Sequence, residues 1–311
     1  LQAYLATEQA RRSAQIMLIA EVSRAYLTLA ADREKLKLAR STLKDQMTSY
    51  DLIQKSYHIG IATEIDLRRA QTQVDAARRD VPRNIQLAAQ DQNALNLLAG
   101  VPVSEDLLPD DLASVAPPKA VTPGLGSEVL LNRPDIVAAE HRLKGANAFI
   151  GAARAAFFPR ISLTASMGTA SDELSGLFGS GSNTWNFAPR IVMPIFDART
   201  WAALRVSKAD QEIILTQYEQ AIQTAFREVA DALAVQGTIN QQVAAQQSLV
   251  DATAETYRLS NRRYTIGIDN YLSVLDAHRS LYLQQQVLIS LYLTELANQV
   301  KLYTALGGGT I

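Results

Sequence analysis

The segment Tyr57-His58-Ile59-Gly60-Ile61 returns 207 positions later as Tyr264-Thr265-Ile266-Gly267-Ile268. Outward from these two segments the register holds without a gap. Glu21-Val22 falls on Glu228-Val229, Ala25 on Ala232, Tyr50 on Tyr257, Leu52 on Leu259, Ala70 on Ala277, Leu95 on Leu302 and Gly100 on Gly307. A match sustained over roughly 80 residues is an internal duplication, and its unit is far longer than a solenoid repeat. The glycine after Tyr-x-Ile suits a helix that ends in the left-handed conformation. Thr63 and Asn270 then stand where the next helix needs a side-chain cap. Each copy therefore reads as a helix–turn–helix hairpin with a tight tip.

Both copies carry a seven-residue seam. In the first it runs Val22, Leu29, Leu36, Leu43, Tyr50, Tyr57, and after the turn Leu67, Val74, Val81, Ala88, Leu95. In the second it runs Val229, Gln236, Val243, Val250, Tyr257, Tyr264, then Val274, Leu281, Leu288, Glu295, Leu302. Such a repeat keeps one stripe against a partner helix and favours coiled-coil packing over the plain apolar stripe of a bundle helix. Proline and glycine respect these arms. Nine of ten prolines lie between Pro102 and Pro194, and residues 1–99 hold the single glycine Gly60. The first helix is expected to reach about residue 59, which at about 1.5 Å per residue makes it ~85 Å long. Pro82 is expected to kink or interrupt the returning helix.

Composition removes several classes of function. The chain has 311 residues and a mass of 34.0 kDa. That is enough for one large domain or two ordinary ones. Thirty Lys and Arg against 31 Asp and Glu give no electrostatic ground for a nucleic-acid partner. The absence of cysteine excludes disulfides, thiolate metal sites and thiol nucleophiles in this stretch. His58, His141 and His278 are scattered, and no apolar run is long enough for a transmembrane helix. Gly179-Ser180-Gly181-Ser182 lacks the lysine and following helix of a phosphate loop. No catalytic residue, cofactor or metal ligand is expected. His58 and His278 read as surface residues near the tips. Leu1 opens inside an already helical pattern, so the sequence reads as a fragment.

Between the arms the periodicity changes. Residues 101–126 form a linker with Pro102, Pro109, Pro117, Pro118 and Pro123, and a short helical turn is expected at 127–131. A helix should begin at Pro134 and run to about Phe158, with the small residues Ala138, Ala139, Gly145, Ala148, Ala152 and Ala155 on one side. After Pro159 the pattern is two-fold. Ile161, Leu163, Ala165 and Met167 alternate with Ser162, Thr164, Ser166 and Gly168; later Trp185, Phe187, Pro189, Ile191, Met193 and Ile195 alternate with a mainly polar set. The periodicity admits an edge hairpin packed on the helices. It also admits, as the sharper reading, two membrane strands of a barrel completed by strands from elsewhere, since open edges are excluded from lipid.

A resemblance decides between them. The chain resembles the TolC/OprM-type outer-membrane factors over essentially its whole length, and the OprM-like, lipoprotein-type branch fits best. The segments that carry the likeness are Gln2–Ala10 and Ala25-Tyr26-Leu27-Thr28-Leu29; Asn132-Arg133-Pro134-Asp135-Ile136 and Ala152–Pro159; Leu174-Ser175-Gly176-Leu177-Phe178 and Pro194-Ile195-Phe196; Gln220–Phe226; Arg263–Leu272; and Leu306-Gly307-Gly308-Gly309. Single strings of this kind are weak, but all of them in order are specific.

The resemblance implies a mainly α fold with a small β part. Long helical hairpins would build an α-barrel, and a β-hairpin would join a trimeric 12-stranded barrel in the outer membrane of a Gram-negative cell. The implied segments are a truncated hairpin of the first repeat at 1–100, an equatorial linker at 101–133, a helix at 134–158, a membrane hairpin at 159–197 with an outer loop at 170–183, the second helical hairpin at 198–306 and a tail at 307–311. It also implies a first repeat that lacks its opening helix and strands. The implied function is passive exit of drugs and other small toxic compounds, with metal ions or secreted proteins as alternative cargo. The implied partners are two further copies, a periplasmic adaptor (a membrane fusion protein), an inner-membrane RND-type pump and outer-membrane lipid. On this sequence the resemblance places a periplasmic gate at Leu272, Asp276 and Arg279, with Tyr264 and Asp66 across the tip and Arg279 holding Asp276. It places adaptor contacts at Gly60, Ile61, Gly267 and Ile268. The membrane strands would carry Ile161, Leu163, Ala165, Met167, Trp185, Phe187, Ile191 and Met193. A soluble coiled-coil scaffold or a periplasmic adaptor is the competing class; an adaptor should carry further β-rich domains, and this sequence has one strand pair.

Overall fold

The computed structural model describes residues 1–116 and 127–308. Among the described residues five α-helices and one strand pair follow in order: α1 (Gln2–His58), α2 (Glu64–Ala99), α3 (Pro134–Ala155), β1 (Arg160–Thr169), β2 (Asn183–Val192), α4 (Ala198–Thr265) and α5 (Tyr271–Ala305). Short 3-10 turns lie at Glu105–Leu107, Leu112–Ser114, Ser127–Asn132 and Leu174–Gly176. Among the described residues no helix is long and apolar enough to cross a membrane. Pro117, Pro118 and Pro123 of the expected linker, and residues 309–311 of the expected tail, lie outside the described residues. The chain divides into one compact unit of 1–10 and 134–223 and a second of 11–133 and 224–311.

In the first unit Pro134 opens α3, where its missing N–H costs nothing. The His141 ring meets the Gln2 amide at 2.7 Å. On the same side a Cβ at Gly145 would stand 3.7 Å from that of Gln2, which is ordinary contact. Ala138, Ala139 and Ala146 are buried on α3. The helix ends at Ala155, short of the expected Phe158, because Pro159 excludes helical geometry before it and the chain unwinds through two turn hydrogen bonds. Phe157 meets Trp201 edge-on at 4.9 Å. β1 and β2 pair antiparallel, from Arg160 opposite Val192 to Thr169 opposite Asn183, and every residue of both strands is exposed. Met193, expected in this strand, lies one residue beyond it. Its partner would be Pro159, which has no N–H to give the ladder.

The second unit holds the buried contacts of the long helices. Leu29, Leu95 and Leu108 cluster where α1, α2 and the linker meet; Leu27, Ala30, Ala31, Leu112 and Ile289 join α1, the linker and α5. The linker is also pinned by charge: Arg33 meets Glu105 at 2.6 Å and the Pro109 carbonyl at 3.3 Å, and Glu34 accepts from the Leu112 N–H at 3.2 Å. Ala232, Leu302 and Leu306 form the matching contact of the second hairpin. There Arg133 donates to the Ala305 carbonyl and to Glu228, both at 2.9 Å, so its buried charge is neutralised and hydrogen-bonded. The duplication persists in packing, since Ala70 and Ala277 are both buried, as are Leu95 and Leu302. Pro82 does not interrupt α2, which is continuous from Glu64 to Ala99. Pro82 and Arg78 are both exposed, so water can take the carbonyl that the missing N–H leaves free.

Candidate functional site at the hairpin tips

Each tip is built by the same local chemistry. Gly60 and Gly267 both have φ of 79°. This is the left-handed region, where a Cβ is disfavoured. Behind each glycine the chain closes a paired hydrogen-bonded turn. Gly60 N–H donates to Tyr57 O at 3.0 Å and Ile61 N–H to Ser56 O at 2.9 Å; Gly267 donates to Tyr264 O and Ile268 to Arg263 O, each at 2.9 Å. Thr63 and Asp66 then cap α2 reciprocally. The Thr63 hydroxyl accepts from Asp66 N–H at 3.2 Å. The Asp66 carboxylate accepts from Thr63 N–H, also at 3.2 Å. The Asn270 side chain accepts from Ser273 N–H at 3.4 Å and caps α5. Arg263 grips Asp269 through two nitrogens, at 2.6 and 3.2 Å.

The two tips meet around a shared core. Ile53 and Ala70 of the first hairpin pack with Tyr271, Val274 and Leu275 of the second, and Tyr50, Leu67, Tyr257 and Tyr264 close round them. Ile53 has no exposed surface at all. Tyr264 and Tyr271 stack at a tilt with centroids 5.3 Å apart. Burial pushes both phenols above their ordinary range, and the charge of Asp66 adds to the effect. Further along, His278 lies edge-on to Tyr257 at 4.8 Å and meets the Gln46 amide at 2.8 Å. Burial holds this imidazole below its ordinary range, against the opposing charge of Asp45. His278 is therefore a packed residue joining two hairpins, not the surface residue expected; His58 is exposed.

The expected gate residues fall into two groups. Leu272, Asp276 and Arg279 are exposed on α5, and among the described residues neither Asp276 nor Arg279 enters an ion pair. The expected hold of Arg279 on Asp276 is thus not made in the single chain. Asp66 is held by the capping box and Tyr264 by ring contact, with no hydrogen bond between them. Around these groups the surface is apolar: Ile59, Ile61, Ile266 and Ile268 are 71, 77, 62 and 59% exposed. Four exposed isoleucines at the ends of two hairpins form an apolar rim. The sequence reading misses Ile53 and Tyr271 as core residues, although a signal for them exists. Tyr271 is the next step of seven after Tyr257 and Tyr264, and Ile53 stands three past Tyr50, at the second apolar position of its heptad.

At the strand pair, register sorts the chemistry. Ile161, Leu163, Ala165 and Met167 face Ile191, Pro189, Phe187 and Trp185 directly across the ladder, so one side of the hairpin is apolar through four consecutive pairs. The other side carries Arg160, Ser162, Thr164 and Ser166 with Arg190, Asn186 and Thr184.

Residues 1–101 and 125–308 match the family model described as outer membrane efflux protein. The chain is 49% identical over 310 residues to the probable efflux pump outer membrane protein SepC and, equally, to the toluene efflux pump outer membrane protein TtgF, both of Pseudomonas putida. Each alignment takes 99% of this chain and 64% of the relative, so the chain spans less than two thirds of these relatives' length. Among solved structures, the open state of the MtrE outer membrane channel of Neisseria gonorrhoeae superposes with a TM-score of 0.87 at 41% identity, over 99% of this chain and 70% of that one.

Proposed function

Because the chain belongs to the outer membrane efflux protein family, we propose that it is the greater part of an outer-membrane exit duct for small toxic compounds. In this reading three copies of the parent close a 12-stranded barrel in the outer membrane and an α-barrel below it. Residues 1–100 and 198–306 supply the helical hairpins, 101–133 the equatorial belt and 159–197 the membrane hairpin. The duct conducts passively and carries no catalysis; an inner-membrane pump supplies the energy. A periplasmic adaptor engages the isoleucine rim around Gly60, Ile61, Gly267 and Ile268, and the hairpins then part to widen the tunnel. Leu272, Asp276 and Arg279 line the constriction, where a ring of three Asp276 carboxylates favours cations.

One observation carries the reading: the strand pair is exposed on both faces, and one face is apolar through four consecutive pairs. Such a surface has no place in water, and its open edges have none in lipid until other strands pair with them. The cargo follows the relatives' names, one of which is a toluene efflux component. The test is to express the full-length parent with a matching pump and adaptor, in a Gram-negative strain lacking its own duct. Restored efflux of a fluorescent drug is the expected result. Undiminished accumulation, with the protein assembled in the outer membrane beside a pump and adaptor proven with another duct, overturns the drug-exit role.

A further inference from the structure

We propose that Arg160 and Arg190 form a cationic band on the water-facing side of the strand pair, which concentrates small organic anions locally, apart from the cation-favouring constriction at Asp276. This rests on the barrel reading above and adds a selectivity to it. Ser162 lies opposite Arg190, and Arg160 opposite Val192. Both arginines therefore share one face at the end of the hairpin nearest α3 and α4, one pair apart, while Ile161 and Ile191 occupy the other face. Both are exposed, and among the described residues neither enters an ion pair. Neither strand contains an Asp or Glu. The first carboxylate beyond β2 is Asp197, which is engaged by its neighbour Arg199 through the backbone N–H at 2.9 Å and the side chain at 3.8 Å.

A guanidinium stays charged at every working pH. Two of them as near neighbours on one strand face repel each other unless solvent or an anion lies between. Lipid cannot serve, so this face is wet and short of negative charge. Three copies bring at least six such groups into one ring. Low-dielectric barrel walls focus a field of this kind and raise the local concentration of anions. The band would act on solutes carrying a carboxylate, sulfonate or phosphate.

The test uses the full-length parent trimer in liposomes, cleared of any other reactive thiol; the 311 residues themselves contain none. Thr164→Cys places a thiol on the water-facing side and Ile161→Cys one on the apolar side. The probes are a sulfonate-bearing and a trimethylammonium-bearing methanethiosulfonate, with rates normalised to a free thiol. At Thr164→Cys the anionic reagent is expected to react about five-fold faster than the cationic one, a modest instance of charge focusing. In an Arg160→Gln, Arg190→Gln background the ratio is expected to fall to near one, whereas Arg190→Lys should preserve it. Should the double variant fail to assemble, Arg190→Gln alone and a rise in salt must each lower the ratio. A ratio indifferent to these changes, with Ile161→Cys shielded from both reagents, overturns the band and leaves the barrel standing. Reaction at Ile161→Cys as fast as at Thr164→Cys overturns the membrane strands, and the band with them.

Discussion

Asp91 and Asp32 show what a single position can hold. Asp91 Oδ2 is sealed from solvent without a donor, beside Asp32, which is itself buried and salt-bridged to Lys35 at 3.1 Å. Burial first, and the charge of Asp32 second, push the Asp91 carboxyl up to about 6, with Lys35 opposing. Between its ordinary 3.8 and about 6 the folded chain keeps a proton that the unfolded chain has released. The stability tied to that proton is full below the lower value and is lost as pH rises through the upper one. Asp91→Asn should therefore stabilise the protein above pH 6 by on the order of 1 kcal/mol after solvent screening, and leave it unchanged near pH 4. Thermal melting of wild type and variant across that range reads the difference; equal melting points at pH 7.5 would refute the assignment. The duplicated position already holds the amide, for Asn298 donates to the Ala232 carbonyl at 3.0 Å. Ile53 offers a plainer test. Ile53→Ala should cost about 2–5 kcal/mol, seen as a lowered denaturation midpoint, because the site is fully buried among side chains of two hairpins. The glycines and caps of the tips were legible in sequence because their chemistry is local. The Asp32–Asp91 pair and the burial of His278 were not, because contacts between helices far apart in sequence create them and a charged residue in a helix otherwise reads as solvated.

At the scale of elements, the strands were legible from their two-fold alternation, and the pairing register settles where they stop. The overshoot at Met193 follows from reading one strand without its partner. Pro82 taught the opposite lesson: the sequence shows the missing donor but not that its side of α2 faces solvent. The register also makes a sharp prediction. Leu163 sits in the middle of the apolar face, opposite Pro189. Leu163→Arg should cost about 2–4 kcal/mol at mid-membrane and reduce trimer recovery in outer-membrane fractions. Thr164→Arg, one residue away on the other face and opposite Ala188, should assemble normally. Equal recovery of the two variants would refute the sidedness of the hairpin.

For the whole molecule, the duplication was legible because a constant offset survives low identity, and the long hairpins followed from it. Which faces remain for other chains was not legible, since a seam looks the same whether its partner lies in the same chain or another. Asp276 and Arg279 are exposed and unpaired within one chain among the described residues, as residues facing a shared axis would be. In planar bilayers without adaptor, Asp276→Ala with Arg279→Ala in the parent should raise single-channel conductance several-fold by removing the charged ring. Conductance equal to wild type would count against the constriction.

The joint core beneath the tips has a mechanical consequence. Ile53 of one hairpin is enclosed by tyrosines of both, and Gln46 reaches His278 across the same seam. A load applied at Gly267 is therefore carried to Gly60 through packed rings, and the four helix ends answer it as one lever. Under strain, the pair of hairpins within this chain is expected to swing as a single stiff arm.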